Sequence, residues 1–441
     1  RGAQLGLKVA IIEKADLGGV CLNWGCIPTK SLLRSSEILS YIKKSDEYGI
    51  SLENWKFDLH AITKRSREIA KKLSTGISYL IKKNNISLFM GKAYINKNKD
   101  IEIKMEDKEI KINFNKAIIA TGASPKKLPM IKNNNSNVWS YMEALLPKSM
   151  PKTLGIIGAG AIGIEFASFY SSLGVKVKVF ETQKNILPNE DKDVSDALRE
   201  ILEKKGIEFH TNTSVVDVNT IDKVKLSTSA KEKNIFEFDK ILVAIGVEGN
   251  VNGLGLENTD VKVENSQIAT HSEGKTDDNK FYAIGDVSGT PWLAHKASHE
   301  GKVCAEAIAG IKSDNKLKNE KIPSCVYSYP QVASIGITEE QAVESKIKFK
   351  VGKFPLSANG KALSLSEEEG FVKTIFDSET GEILGAHMLG HEVTELINSF
   401  SIAIKLEATE EEIMNTIFPH PTLSESIHES VLDAYDKAIH I

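Results

Sequence analysis

The chain has 441 residues, 41% of them hydrophobic and 26% charged, which supplies buried cores for two to four domains and argues against a disordered chain. A net charge of −3 argues against nucleic acid or an acidic membrane as the main partner, and no apolar run approaches the roughly eighteen residues that would span a bilayer. Four cysteines in so long a chain suit a reducing compartment.

The opening RGAQLGLKVAIIEK reads as the tail of a helix, a glycine turn at Gly6 and a strand ending in Glu13. A dinucleotide-binding βαβ unit would carry its first strand and glycine-rich turn ahead of this point, so the chain is expected to begin in mid-motif. Residues 18–39, GGVCLNWGCIPTKSLLRSSEIL, then place Cys21 and Cys26 five positions apart, with Pro28 leading into a helix. Five residues of regular helix would separate the two Cα atoms by about 7.5 Å. A disulfide needs less than about 6.8 Å. If the sulfurs pair, the backbone must leave regular helix around Cys21, which Gly18, Gly19 and Gly25 allow. Free N–H groups and the positive dipole end at a helix start favour a thiolate, so the spacing points to a pair that is easily reduced and remade. Two other readings stand beside it. Half of a zinc site is disfavoured because Cys304 and Cys325 lie far off without paired CxxC spacing, and a structural staple because the core is ample.

A charged helix is expected near 60–83, and the tracts NKNKD at 96–100 and IKNNNSN at 131–137 read as solvated turns between strands. Between Pro151 and Glu181 comes a complete unit: strand TLGIIGAG, helix AIGIEFASFYSSLG and strand VKVKVFE, with Gly158, Gly160 and Gly163 in GxGxxG spacing. The spacing alone is weak evidence. Here it follows an apolar strand, opens a helix and is answered by Glu181 at the end of the next strand, which marks a Rossmann βαβ. FNKAIIATGAS at 114–124 and FDKILVAIGVEGN at 238–250 repeat one another, so two such modules are expected, each closed by one of these strands. NKFYAIGDVSG at 279–289 reads as a strand ending in Gly285 and Asp286, and PWLAHKASHEGKVCAEAIAG has helical periodicity. From Ile322 onward, strand-like pieces (CVYSYPQVASIGI, KFKVGKFPL, GFVKTIFD, EILGAHMLG) alternate with helix-like ones, as in an α+β domain on an antiparallel sheet.

Particular side chains carry the chemistry. Glu181 is placed to accept hydrogen bonds from an adenosine ribose, and with no arginine at 182–184 it points to NAD over NADP. Lys30 lies one helical turn beyond Cys26 and can share a face with its sulfur. Asp286 alone reads equally as a helix N-cap. FPHPTLSESIHE sets His420 and Glu425 five apart across a helix start at Thr422 or Ser424. Histidine is the natural proton shuttle for thiol chemistry near neutral pH, and a carboxylate can hold its tautomer. By residue type alone, His428 and the other histidines have equal claim.

The cysteine segment, the GxGxxG unit, the AIGDV and LAHKA wording and the HPTLSE segment together closely resemble the pyridine-nucleotide disulfide oxidoreductases, over essentially the whole chain. The resemblance implies an α/β fold with two Rossmann-like dinucleotide-binding domains, for FAD and NAD, plus a C-terminal α+β dimerisation domain. The expected boundaries are 1–146 and 273–320 for the two parts of the FAD-binding domain, 147–272 for NAD and 321–441 for the interface. It implies a redox disulfide Cys21–Cys26, His420 as base reaching across from the other subunit with Glu425 as its orienter, and Lys30 beside the flavin paired with Glu165. FAD would lie against Glu13, Lys30, Ala93, Thr121, Gly122, Asp286, Leu293, Ala294 and His295. NAD would lie against Gly158, Gly160, Gly163, Glu165, Glu181 and Gly246, and no metal is expected. The implied reaction is oxidation of protein-bound dihydrolipoamide by a homodimer, on lipoyl carrier domains of 2-oxoacid dehydrogenase or glycine cleavage complexes. Another NAD(P)H-dependent disulfide reductase, or an inactive dimerising scaffold, are the alternatives; NADPH enzymes would favour arginines after the second βαβ strand, and mercuric reduction a vicinal cysteine pair after Cys325.

Overall fold

The computed structural model describes residues 1–131, 136–219, 224–229, 234–312 and 319–441. The chain clusters into two compact units, one of Arg1–Ser31, His60–Lys126 and Gly246–Leu317, the other of Leu32–Leu59, Lys127–Ile245 and Lys318–Ile441. Of the two tracts expected as turns, 96–100 joins two strands, whereas 132–135 of the second lie outside the described residues.

In the first unit a 3-10 turn, Ala3–Leu5, closes on Gly6 before the strand Ala10–Glu13. That strand pairs in parallel with Ser87–Met90, and parallel pairing requires a long crossover. The intervening chain supplies the helices Gly19–Trp24, Cys26–Lys43 and Leu59–Lys83. Thr63, Ser66 and Ala70 are buried on the last of these at spacings of three and four, giving a stripe of small side chains on one face. Lys92–Ile95, Ile101–Lys104 and Glu109–Ile112 form an antiparallel sheet, and Ala117–Ile119 pairs in parallel with Phe281–Ala283. Ile119, Ile268, Phe281 and Val287 belong to the core of this unit. The strand expected to reach Gly285 and Asp286 stops at Ala283. The reason is local: the Gly285 N–H donates to the Glu300 carboxylate at 2.7 Å instead of to a neighbouring strand, and Gly285–Ser288 turns as a 3-10 helix.

The second unit holds a five-stranded parallel sheet in the order Glu208–His210, Lys176–Phe180, Thr153–Ile157, Lys240–Val243, Val138–Trp139. Thr153–Ile157 is central and buried along nearly its whole length, as a strand covered on both faces must be. The helix that follows, Ala161–Ser172, buries Ile164, Phe166, Phe169 and Tyr170. Lys240–Val243, the second copy of the repeat, comes last in this sheet along the chain, yet the short Val138–Trp139 lies outside it at the edge.

The same unit contains a five-stranded antiparallel sheet in the order Ser324–Val326, Gln331–Gly336, Ile383–Gly390, Phe371–Asp377, Phe349–Pro355. The piece read as one strand, CVYSYPQVASIGI, is therefore a hairpin. Pro330 has no N–H for a ladder, and the Ser328 hydroxyl donates to its carbonyl in the turn. Helices Val393–Lys405 and Glu425–Asp433 pack on this sheet through Phe376, Met388, Ile397, Phe400, Ile427 and Val431. A buried ion cluster links the two sheets' surroundings. Lys373 Nζ lies 2.9 and 3.0 Å from the Asp191 oxygens, 3.2 Å from Asp193 and 2.7 Å from Glu339. Asp191 also caps the helix Lys192–Lys204 by accepting the Asp193 N–H. Burial opposes the charge on Lys373, and the carboxylates outweigh it, so its pKa is raised.

Candidate active site

The departure from regular helix falls at Gly25, one of the three glycines that the spacing left open. Cys21 lies within the short helix Gly19–Trp24, the break comes at Gly25, and Cys26 opens the helix Cys26–Lys43. The two cysteines form a disulfide with their Cα atoms 4.8 Å apart. A Cβ at Gly25 would stand 3.2 Å from the Cys21 Cα and from the Val20 carbonyl oxygen, a tight contact that glycine avoids where the two helix ends meet. As the first residue of an 18-residue helix, Cys26 sits among N–H groups that have no intrahelical acceptor, where a thiolate is stabilised. The Asn23 amide ties down the preceding turn through the Leu17 and Gly19 carbonyls, each at 3.0 Å. Lys30 follows one turn on in the same helix.

Two arginines of the helix Leu59–Lys83 brace this region. Arg67 stacks over the Trp24 ring, 4.2 Å from its centroid, and donates to the Asn23 carbonyl oxygen. Arg65 donates to the Ser31 carbonyl at 3.1 Å and hydroxyl at 2.9 Å. Neither was singled out from sequence.

The residues that the resemblance assigns to FAD all lie in the first unit. Glu13 ends the first strand, and its carboxylate accepts the Ala15 N–H at 2.8 Å. Its carbonyl accepts from Gly91 at 2.8 Å, two residues before Ala93. Thr121 and Gly122 are locked to Asn250, another residue the sequence reading passed over. Asn250 donates its N–H to the Gly122 carbonyl and its amide to the Thr121 carbonyl, both at 2.9 Å, and accepts from the Thr121 hydroxyl at 2.8 Å. Asp286 lies in the 3-10 turn; burial raises its pKa, Lys296 draws it back, and Glu300 raises it further. Lys296 and Glu300 form an ion pair at 2.7 Å, one turn apart on the helix Ala294–Ile308, and Lys296 is 5% exposed. Leu293 provides no side-chain cap for that helix, which opens with Ala294 and His295. The neighbouring Trp292 indole N–H is buried without a partner among the described residues, so an acceptor is wanted there. These features fit a bound dinucleotide.

The second unit holds the glycine turn. A Cβ at Gly158 would come 2.4 Å from the Ala244 carbonyl oxygen, and one at Gly163 2.0 Å from that of Gly158, so the fold itself demands glycine at both. A Cβ at Gly160 would meet nothing within 4 Å. That open space faces the uncapped N-terminus of the 12-residue helix Ala161–Ser172, which fits a pyrophosphate. Glu181 accepts the Ala159 N–H on one oxygen and the Gln183 N–H on the other, each at 2.8 Å. Glu165 is buried and accepts the Tyr327 N–H at 3.0 Å. Gly246, with φ of 99°, belongs to the first unit, and so does Lys30, whereas Glu165 belongs to the second.

His420 Nδ1 lies 2.9 Å from Glu425 Oε1, and Glu425 Oε2 accepts the Thr422 N–H at 2.8 Å. The helix starts at Glu425 after Ser424, the later of the two expected starts. Partial burial pushes the Glu425 carboxyl up, but the Thr422 N–H and His420 outweigh it and hold it below the ordinary range. The His420 side chain is 79% exposed, with its Nε2 edge left for a reaction partner. His428 is committed elsewhere, its Nε2 lying 3.0 Å from the Met414 carbonyl and its ring packed on Phe418. One turn beyond Glu425, Glu429 repeats the pattern: it holds His440 Nδ1 at 2.7 Å and accepts the Ile439 and His440 N–H groups at 3.3 and 3.4 Å.

A cysteine pair at a helix start and a dinucleotide turn on a Rossmann sheet define a nucleotide-dependent disulfide oxidoreductase. The chain belongs to the pyridine nucleotide-disulphide oxidoreductase family, whose model matches residues 1–301 and whose dimerisation-domain model matches residues 322–431. It is 46% identical over 444 residues to the dihydrolipoyl dehydrogenase of Zymomonas mobilis subsp. mobilis, covering 100% of this chain and 95% of that one. It is 39% identical over 453 residues to a dihydrolipoyl dehydrogenase of Bacillus subtilis, again covering 100% and 95%. Among solved structures it is similar to the HOCl-induced flavoprotein disulfide reductase RclA from Escherichia coli, with a TM-score of 0.85, 26% identity and coverage of 97% and 95%. LpdA from Mycobacterium tuberculosis shares the fold, with a TM-score of 0.91 at 23% identity over 98% of this chain and 96% of that one.

Proposed function

We propose that this enzyme oxidises protein-bound dihydrolipoamide to lipoamide and reduces NAD+, through the Cys21–Cys26 disulfide. The observation that carries the reading is that disulfide itself, set at the start of an 18-residue helix where a released thiolate is stabilised. The relatives named dihydrolipoyl dehydrogenase, similar over the full chain, support the substrate. Glu181 supports NAD, because the 2′-phosphate of NADP would meet its negative charge.

In this reading a substrate thiol attacks Cys21 Sγ, the Cys21–Cys26 bond breaks, and Cys26 leaves as a thiolate at the helix N-terminus. His420 Nε2 takes the thiol proton while Glu425 holds Nδ1 in the productive tautomer. The second substrate thiol then displaces Cys21 and closes the lipoamide disulfide, leaving both cysteines reduced. Bound FAD and NAD+ supply the relay and the hydride acceptor that return the pair to the disulfide. FAD would be held by Glu13, Lys30, Ala93, Thr121, Gly122, Asp286, Leu293, Ala294 and His295. NAD would be held by Gly158, Gly160, Gly163, Glu165, Glu181 and Gly246, with Lys30 and Glu165 paired beside the flavin.

The segments 1–146 and 273–320 would form the FAD-binding domain, 147–272 the NAD-binding domain and 321–441 the interface. The dimerisation-domain match and the exposed His420 support a homodimer in which His420 serves the disulfide of the second copy. Lipoyl carrier domains of 2-oxoacid dehydrogenase or glycine cleavage complexes would then be the partners. Among the described residues no helix is long and apolar enough to cross a membrane. The bacterial relatives support a cytoplasmic place. The test is NADH formation from dihydrolipoamide by the flavin-loaded protein and by Cys26→Ser. Activity that vanishes in Cys26→Ser supports the reading; a flavin-loaded parent that turns over other disulfides but not lipoamide overturns it.

A further inference from the structure

The sequence reading and the proposed mechanism both leave out the guanidinium beside the redox turn. Arg67 comes from a different helix, forty-four residues beyond Asn23. It donates to the Asn23 carbonyl and lies over the Trp24 ring, 4.2 Å from its centroid, and among the described residues no carboxylate pairs with it. Its neighbour Glu68 faces Lys64 at 3.9 Å. Trp24 is itself held by a second contact, its indole N–H donating to Asp16 at 3.1 Å. The segment between the two cysteines is Leu22, Asn23, Trp24 and Gly25, so Arg67 grips two of the four residues that connect the sulfurs. An arginine over an aromatic face suits this place because its planar, weakly hydrated cation keeps its charge when partly covered.

We infer that Arg67 is a positioning residue for the redox pair: it clamps the Asn23–Trp24 segment that joins the two cysteines, and the positive charge it holds on that segment favours their reduced form. The inference rests on the reading of Cys21–Cys26 as an exchanging pair. Reduction breaks the sulfur–sulfur bond, adds two electrons and releases negative charge on whichever sulfur remains unprotonated. The oxidised pair carries no charge. A nearby cation therefore stabilises the reduced state selectively, and the clamp keeps that cation and the short connecting turn together in both states.

The test is a thiol–disulfide titration of the full chain with mixtures of reduced and oxidised dithiothreitol, read by alkylation of Cys21 and Cys26 and mass. Dithiothreitol supplies the two electrons and two protons and becomes its own cyclic disulfide. For Arg67→Met the equilibrium is expected to move toward the protein disulfide by about tenfold, equal to about 30 mV for a two-electron couple. Arg67→Lys should recover part of that shift, since it keeps the charge but loses the guanidinium contact with the Trp24 ring. A merely structural role would lower thermal stability and leave the equilibrium where it was. An Arg67→Met protein that is folded by circular dichroism and titrates within about twofold of the parent, below the shift expected for a lost cation, overturns the inference. If Arg67→Met does not fold, the parent is titrated across ionic strength instead. A charge effect weakens with screening, so an equilibrium constant that does not move with salt is the refuting result. A parent whose pair never accepts electrons from dithiothreitol would instead sink the exchanging-pair reading, and the two failures are told apart by that control.

Discussion

Lys373→Met isolates the cost of an orphaned buried charge in the second unit. The substitution keeps an unbranched side chain of similar bulk and deletes the ammonium that lies against Asp191, Asp193 and Glu339. Asp193 and Glu339 are each 40% exposed and can regain water at little cost. Asp191 cannot: it is fully buried and would keep only the Asp193 N–H at 3.0 Å and the Glu339 N–H at 3.2 Å. Removing one partner of a buried pair costs about 3–5 kcal/mol, so a loss of about 4 kcal/mol is expected. Urea unfolding followed by far-ultraviolet circular dichroism would read it as an earlier transition. Asp191→Asn combined with Lys373→Met should recover at least half of the loss, because no uncompensated charge remains. The pH dependence has a definite sign. Burial pushes Asp193 up, but Lys353 and Lys373 hold its carboxyl below the ordinary carboxylate value. Its contribution is thus present above about pH 4 and lost as pH falls through the lower folded value, and this acid sensitivity should shrink in Lys373→Met. A single variant within about 1 kcal/mol of the parent, or a double variant no better than the single, would refute the reasoning.

Two further outcomes concern the chemistry. His420→Gln should lower kcat/KM for dihydrolipoamide by about 10²–10⁴ while dithiothreitol still reduces Cys21–Cys26, since only proton transfer is lost; equal loss of both reactions would mean that His420 shapes the cysteine site instead. Gly163→Ala puts a Cβ 2.0 Å from the Gly158 carbonyl oxygen, and the turn must open to admit it. A stability loss of about 1–3 kcal/mol and weakened NADH binding in equilibrium dialysis are expected, and undiminished binding would show that the glycine turn does not hold the dinucleotide.

What the sequence disclosed was whatever is contiguous. Cys21 and Cys26, Gly158 to Gly163 with Glu181, and His420 with Glu425 each fall within a stretch short enough for spacing to imply geometry. The alternation of strands and helices likewise gave both sheets of the second unit. The reading missed Arg67, Asn250 and Lys373, whose partners are far away in the chain and whose residue types carry no spacing signal until the fold joins them. Lys296 and Glu300 could have been noticed, because an i, i+4 pair of opposite charge in AHKASHEGK is a local pattern. What spacing could not have shown is that Glu300 also reaches back to Gly285 and ends the preceding strand early. The helix break falls at Gly25, one of the three glycines the spacing left open near Cys21, and spacing alone could not choose among them.

Glu429 ties residues 439 and 440 to the same helix that presents Glu425 to His420, one turn away. Its side chain is 8% exposed, so the tether is not a loose surface contact. Anyone handling the protein meets a practical outcome: a protease cut ahead of Ile439, or an affinity tag crowding His440, would strip a covered carboxylate of its three donors within a turn of the proposed base. Labels and tags are better placed elsewhere on the chain, and a preparation that slowly loses activity on storage should be checked first for cleavage near residues 439 and 440.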